Sequence, residues 1–298
     1  MIIMTRKGIH SAKEATFQLF ILLLSMVIGA VVAAIISLLL TMVVEAASLD
    51  GAWKLPLMRS TQFLSATFTF LAPALVASYL FSDSPKRYLS IERIKDVRVW
   101  LLTLAGLTLF SPIINVVSLM NRAISLPEFM RPVELWMVEQ EAMAERLTNM
   151  MIGDGGFGSI MANLIVMALT AAITEEFLFR GALQRILERY CSNIHMVIWL
   201  AAVIFSAIHL QFYGFIPRVL LGAYFGYLLY WSKSIWLPVF AHFINNSMAI
   251  LAMSLADLKS NSYITGEIAP EETISYSILA LACIPLFIHT NRLLKRIL

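Results

Sequence analysis

Six residues of this chain combine reactive type with suggestive spacing: Glu175, Glu176, Arg180, His209, His242 and Asn246. Glu175 and Glu176 stand side by side after an uncharged run that begins at Gly155, in TEEFLFRGALQR. Glu176 and Arg180 are four apart with the acid on the N-terminal side, the favourable order for an ion pair on a helix. Glu175 lies about 100° around the helix from Glu176 and five residues from Arg180, a poor pairing distance. The spacing predicts one neutralised structural carboxylate, Glu176, and one reactive carboxylate, Glu175.

A partner for Glu175 comes from the following segment. If 158 to about 190 is one helix, turning at Cys191-Ser192-Asn193 into a second that runs to about 210, then Glu175 and His209 lie equally far from the turn. The two are predicted to be level, with Phe205 one turn from His209 on the same face. In HFINN, His242 and Asn246 are four apart and share a face, and Asn245 points about 100° away, as helix–helix glue. Glu175 could then be the general base on a water also held by His209, with His242 and Asn246 donating to an oxyanion. The same residues leave a second arrangement open, with Glu175, His209 and His242 as a His₂Glu zinc set. HExxH is absent, which excludes the zincin arrangement, and the metal-free version with no required cofactor is preferred.

These residues must be positioned by an apolar scaffold. Hydrophobic residues form 59% of the 298 and charged residues 14%, with a mean hydropathy of +0.79. Soluble domains carry about 25% charged residues. The chain divides into uncharged runs at 15–44, 60–82, 99–121, 155–174, 190–217, 219–232, 234–256 and 273–291. About 20 apolar residues cross the hydrocarbon core, so the pattern predicts an all-α polytopic bundle of about eight transmembrane helices in a single membrane domain, 1–298. Barrel strands would alternate apolar and polar residues, and these runs do not. The first run is too long for a cleaved signal peptide, and Cys191 and Cys283 give no disulfide framework.

Most of the 22 Lys and Arg fall on one side if the N-terminus is inside, including Arg6, Lys7, Lys13, Lys86, Arg87, Arg93, Lys95, Arg98 and the C-terminal Arg292, Lys295 and Arg296. Lys54, Arg59, Arg122, Arg131, Arg146 and Lys259 fall on the other. The positive-inside rule places both termini in the cytoplasm. Arg185, Arg189 and Arg218 read as anchors or snorkelling residues, and His10, His195 and His289 as interfacial. In the long polar connection 121–157, Val133, Trp136, Met137, Met143, Leu147 and Met150 recur at helical spacing behind Pro132. They predict an amphipathic helix on the membrane surface, or a lid, followed by a flexible glycine segment at Gly153, Gly155, Gly156 and Gly158. The acidic loop 257–272 reads as a solvated connector. Nothing in the charge pattern points to nucleic acid.

EEFLFR, FSAIH and HFINN, in this order and spacing, resemble the EExxxR, FxxxH and HxxxN motifs of the CPBP intramembrane proteases. That family includes CAAX prenyl endopeptidases and bacteriocin-processing or immunity proteins. The resemblance covers about 158–250, taken as the catalytic core. It implies an intramembrane endopeptidase acting on a membrane-bound peptide or protein within the lipid bilayer. It implies Glu175 and His209 as the water-activating pair and His242 with Asn246 as the oxyanion site, supported by Glu176, Arg180 and Phe205. The family is often grouped with metalloproteases, which keeps zinc as the alternative. Two other classes fit an intramembrane Glu/His cluster: a proton-coupled transporter, and a non-catalytic immunity or scaffold protein. Paired repeats with broken helices, as in many carriers, are absent from the sequence. The lack of sorting signals suggests a prokaryotic cytoplasmic membrane.

Overall fold

A computed structural model describes residues 12–47, 51–153, 155–255 and 268–298. Arg6, Lys7, His10, Lys259 and most of the acidic loop 257–272 lie outside the described residues. Within them the chain is all helical, with no strand. The helices are α1 Ala12–Ala46, α2 Lys54–Phe81, α3 Pro85–Tyr88, α4 Val97–Arg122, α5 Arg131–Ile152, α6 Phe157–Leu187, α7 Ile194–Ala207, α8 Phe215–Ser232, α9 Trp236–Ser254 and α10 Thr273–Ile297.

Seven of these helices, α1, α2, α4, α6, α8, α9 and α10, are long and apolar enough to cross a membrane. The chain is a multi-pass membrane protein. Its outer surface shows why in physical terms. Phe20, Val27, Val31 and Leu38 on α1, and Ile278 and Leu281 on α10, are exposed although no polar face accompanies them. Helices that are apolar all round and still face outward are solvated by lipid.

The eighth apolar run behaves differently from the expectation. Within 190–217 the only α-helix completed is the 14-residue α7. That is well short of the roughly 20 residues a helix needs to cross the hydrocarbon core. Asn193 starts it, its side chain accepting from the backbone N–H groups of His195 and Met196. His209 ends it. Its Nδ1 satisfies the Phe205 carbonyl at 2.7 Å, while its own N–H turns to Ser206 O at 3.3 Å. A helix leaves its last carbonyls without partners, and here a side chain takes the place of the next helical turn. Leu210 follows with φ 55°, and a short turn at Phe212–Gly214 leads into α8.

Two packed layers hold the interior. α7 lies along α8, and α10 lies along α4. The largest buried cluster joins Leu178, Phe179 and Ile186 of α6 to Val197, Ala201 and Phe205 of α7. α6 winds through two π-helical stretches, Leu164–Thr170 and Phe177–Leu183, on either side of Thr174 to Glu176. Such widened turns rotate the side chains that follow and recur near functional sites. α5 starts with Pro132 in its first turn, as expected, and ends at Gly153, whose φ of 71° is open to glycine at little cost. Of its apolar stripe only Met137 is buried. Val133, Trp136, Met143, Leu147 and Met150 remain exposed, as a helix lying in a membrane interface requires.

Candidate active site

The three expected segments meet where α6, the end of α7 and α9 converge, with α8 packed against them. Glu175 Oε2 lies 4.0 Å from His209 Nε2 and 3.9 Å from His242 Nε2. The level predicted by counting from the turn is therefore the level observed, although α7 stops short of His209. Glu175 is largely enclosed. It lies several turns along α6 from Leu187, and His242 lies well past the first turn of α9. Both positions are inside the apolar length of their helices.

Glu176 is the fully buried member of the pair. Its Oε1 accepts from Arg180 Nη1 at 2.9 Å and from His242 Nδ1 at 2.8 Å. The ion pair with Arg180 follows the spacing; the bond to His242 is beyond it. Arg180 Nη2 donates to the Gly222 carbonyl at 2.8 Å, and its guanidinium lies 4.6 Å from the Phe205 ring centre and 5.5 Å from that of Phe225. A buried guanidinium with two hydrogen bonds, a counter-ion and two aromatic faces is compensated on every side. Glu176 Oε2 has no hydrogen-bond partner among the described residues.

Hydrogen bonding fixes which ring nitrogens face the reactive carboxylate. A carbonyl only accepts, so His209 Nδ1 carries a proton and donates to Phe205 O. A carboxylate likewise only accepts, so His242 Nδ1 donates to Glu176. Both Nε2 atoms are thereby turned toward Glu175. Aromatic rings hold the imidazoles in place, in the edge-to-face and stacked arrangements that ring quadrupoles favour. Phe205 meets His209 at 5.0 Å and His242 at 5.9 Å, both edge to face. Phe225 stacks on His242 at 5.1 Å with 21° between the planes.

Asn246 lies one turn after His242, half-buried, and its Oδ1 accepts from Asn245 Nδ2 at 3.3 Å. Asn245 thus bonds within its own helix rather than gluing α9 to a neighbour. It also lines a cavity of about 230 Å³ between α4, α8 and α9. Arg218, expected to snorkel, instead donates to the Gln211 side chain at 2.7 Å. His195, expected at an interface, bonds the Tyr227 hydroxyl at 2.8 Å through Nδ1. Arg185 is tied to the Arg87 carbonyl and the Ser90 hydroxyl.

Sequence reasoning missed Phe225 and Gly222. Their signal was GAYFG, small residues four apart at Gly222 and Gly226, which lets helices approach closely. A Cβ on Gly222 would meet Phe205 Cδ1 at 3.1 Å, Arg180 Nη2 at 3.2 Å and Ala202 Cβ at 3.3 Å.

The zinc alternative can be tested on the donor set. Tetrahedral zinc with bonds of about 2.0–2.1 Å sets its ligands roughly 3.3–3.5 Å apart. The 3.9 and 4.0 Å separations around Glu175 are wider, and among the described residues no group of three or more His, Cys, Asp and Glu is gathered as a metal site. Glu175, His209 and His242 have the donor types of a zinc site, and the two histidines stand about half an ångström farther from Glu175 than ligands sharing one zinc ion would.

The segment that carries all of these groups is also the one that known proteins share. Residues 157–248 match the family of type II CAAX prenyl endopeptidases, Rce1-like. The Rce1-like segment holds Glu175, Glu176, Arg180, Phe205, His209, His242 and Asn246, as the motif resemblance implied. An uncharacterized protein of Bacillus subtilis, YpbD, is 31% identical over 86 residues, 28% of this chain. The match spans 41% of the length of that relative. No solved structure matches.

Proposed function

We propose that this protein is an intramembrane endopeptidase that hydrolyses a peptide bond of a membrane-associated substrate with a water activated by Glu175 and His209. The observation that carries the reading is the placement of Glu175 Oε2 within 4.0 Å of two imidazole nitrogens whose opposite nitrogens are each held by an acceptor. A water about 2.8 Å from both Glu175 Oε2 and His209 Nε2 sits about 2 Å to the side of the line between them. Such a water has an acceptor for each of its protons. The Rce1-like match of residues 157–248 supports the same reaction class.

In this mechanism Glu175 removes one proton as the water oxygen bonds to the substrate carbonyl carbon. The carbonyl oxygen becomes an oxyanion facing His242 Nε2 and the Asn246 amide. Because His242 Nδ1 already donates to Glu176, Nε2 donates only when the ring carries both protons. Glu175 and Glu176 then oppose His242 and Arg180, two negative charges against two positive, and the buried site is neutral. As the C–N bond breaks, Glu175 returns its proton to the departing amine. Phe179, Phe205 and Phe225 keep the surroundings dry, which strengthens each of these interactions.

This reading puts both termini on the cytoplasmic side, on the distribution of cations in the sequence, and it has the short α7 carry the chain back toward the opposite side beside α8. The experiment is cleavage of membrane-anchored peptides by the purified protein in liposomes, beside Glu175→Gln and His209→Ala. Cleavage by the native chain and its loss in both variants is the expected result. Cleavage that survives in both would remove the mechanism.

A further inference from the structure

Of the two amides in HFINN, the hydrolytic mechanism uses Asn246 and leaves Asn245 idle. The two are nonetheless in contact, Asn245 Nδ2 donating to Asn246 Oδ1 at 3.3 Å. We propose that Asn245 is a positioning residue for the oxyanion site: its amide holds Asn246 in the orientation whose Nδ2 faces the substrate. The inference rests on the hydrolytic reading and adds to it a residue outside the EExxxR, FxxxH and HxxxN motifs.

An asparagine side chain presents an acceptor on one side and two N–H donors on the other, and a half-turn of the amide exchanges them. At Asn246 the exchange matters, because an oxyanion is stabilised by a donor and repelled by a carbonyl oxygen. Two touching amides bond in one of two senses. With Asn245 donating, Asn246 Oδ1 is occupied and Nδ2 is left for the oxyanion. In the opposite sense Nδ2 would be spent on Asn245, and Oδ1 would face the developing charge. The structure holds the first sense. Among the described residues the Asn246 amide has no other hydrogen bond, so Asn245 is the group that selects its orientation.

Packing gives Asn245 no separate reason to be polar. It lies within the apolar length of α9, where a polar side chain is costly unless it works or bonds a neighbouring helix. Among the described residues it bonds no other helix. Its other side faces the cavity of about 230 Å³, whose walls are mostly apolar, with Leu104, Leu107, Ile114 and Leu221 among them. Polar groups of the α4 wall bond elsewhere. The Thr108 hydroxyl donates to the Leu104 carbonyl at 3.0 Å, and the Asn115 amide to the Tyr276 hydroxyl at 3.3 Å. The cavity leaves the Asn245 side chain room to move, and its bond to Asn246 is what fixes it. A leucine would fill the same place at less cost, apart from the one bond it cannot make.

The test is steady-state cleavage of a membrane-anchored peptide by the full-length protein in liposomes, with Tm in detergent measured for each variant. Asn246→Ala sets the scale: loss of one oxyanion donor should lower kcat about 10²-fold or more. Asn245→Leu removes the donor and keeps the shape. It should lower kcat about two- to tenfold, the worth of one hydrogen bond, with KM and Tm little changed. In the Asn246→Ala background the same substitution should do nothing further, because Asn245 acts only through Asn246. Asn245→Asp separates this role from packing. Its ionised carboxylate only accepts and turns the Asn246 amide the wrong way, whereas its protonated form donates as the native amide does. Its kcat, relative to the native protein at each pH, should therefore fall with rising pH from near native toward the Asn246→Ala level. No titratable group lines the cavity, and Glu175, Glu176, Arg180, His209 and His242 are common to both proteins and cancel in the ratio. An unchanged kcat in Asn245→Leu, an equal loss with and without Asn246, a ratio for Asn245→Asp that ignores pH, or a fall in Tm that accounts for the lost turnover would each overturn the proposal and leave the hydrolytic reading standing. Full turnover in Asn246→Ala, or no cleavage by the native protein, would instead remove the reading on which the proposal rests.

Discussion

Glu176 of α6 accepts from His242 of α9 at 2.8 Å, a bond that joins residues 66 apart in the chain and shares its oxygen with Arg180. Glu176 therefore does two things at once. It neutralises a buried guanidinium, and it turns His242 so that Nε2 faces Glu175. The division between the adjacent acids is one of geometry: one carboxylate is consumed by partners, the other is held near two rings without a direct bond to either.

Glu176→Gln is expected to destabilise the fold, because it leaves Arg180 as a buried charge without its counter-ion. Breaking a buried pair from one side costs about 3–5 kcal/mol. Glu175→Gln, which touches no ion pair closer than 3.9 Å, should melt near the native protein. Thermal unfolding of the two variants in detergent separates them. A Glu176→Gln protein as stable as the native chain would contradict the assignment.

His209 makes a second, independent case. Its Nδ1 closes the end of α7 on the Phe205 carbonyl, so stability and reactivity are carried by different nitrogens of one ring. Asparagine at this position can place its amide nitrogen near Nδ1 but has nothing at Nε2. His209→Asn should keep much of the melting temperature and lose activity by about 10²–10⁴-fold. Ring ¹⁵N chemical shifts of the native protein should show Nδ1 protonated. A protonated Nε2 with bare Nδ1 would refute the capping bond.

These two residues also mark what the sequence could and could not tell. The levelling of Glu175 with His209 was legible, since a helical hairpin is a ruler once its turn is located at Cys191 to Asn193. So was the Glu176–Arg180 pair, which needs only one helix. The His242–Glu176 bond was not, because it depends on how α9 is placed beside α6, and no local periodicity encodes that. The short α7 was hidden for a related reason. Apolar composition continues through 208–217, while the helix is ended by a side-chain hydrogen bond that composition does not register. Phe225 and Gly222 were in plain view in GAYFG, but they acquire meaning only when α8 is known to lie against Arg180.

Gly222→Ala follows from that contact. The added methyl would sit 3.1 Å from Phe205, 3.2 Å from Arg180 and 3.3 Å from Ala202, so at least one of them must give way. Overpacking of this kind costs about 1–3 kcal/mol. Because Phe205 packs against both histidines, the same change should lower activity more than the loss of stability explains. Measuring turnover at a temperature where the variant is fully folded distinguishes the two effects. Unaltered turnover would mean that Phe205 does not position the rings.

The metal question turns on half an ångström. Glu175, His209 and His242 present the right donor atoms, and each histidine is oriented from behind by an oxygen acceptor, as zinc ligands are. Their separations from Glu175, 3.9 and 4.0 Å, match an oxygen atom of water held by hydrogen bonds of about 2.8 Å more closely than zinc bonds of about 2.0–2.1 Å. Activity is therefore expected to survive prolonged dialysis against a strong chelator, with less than one zinc per chain by elemental analysis of the active protein. Loss of activity on chelation, restored by zinc in a one-to-one titration, would replace the water-only mechanism. His242→Ala should then lower zinc content as well as turnover. If water alone is the nucleophile's source, the same variant should lower turnover and leave the metal content unchanged.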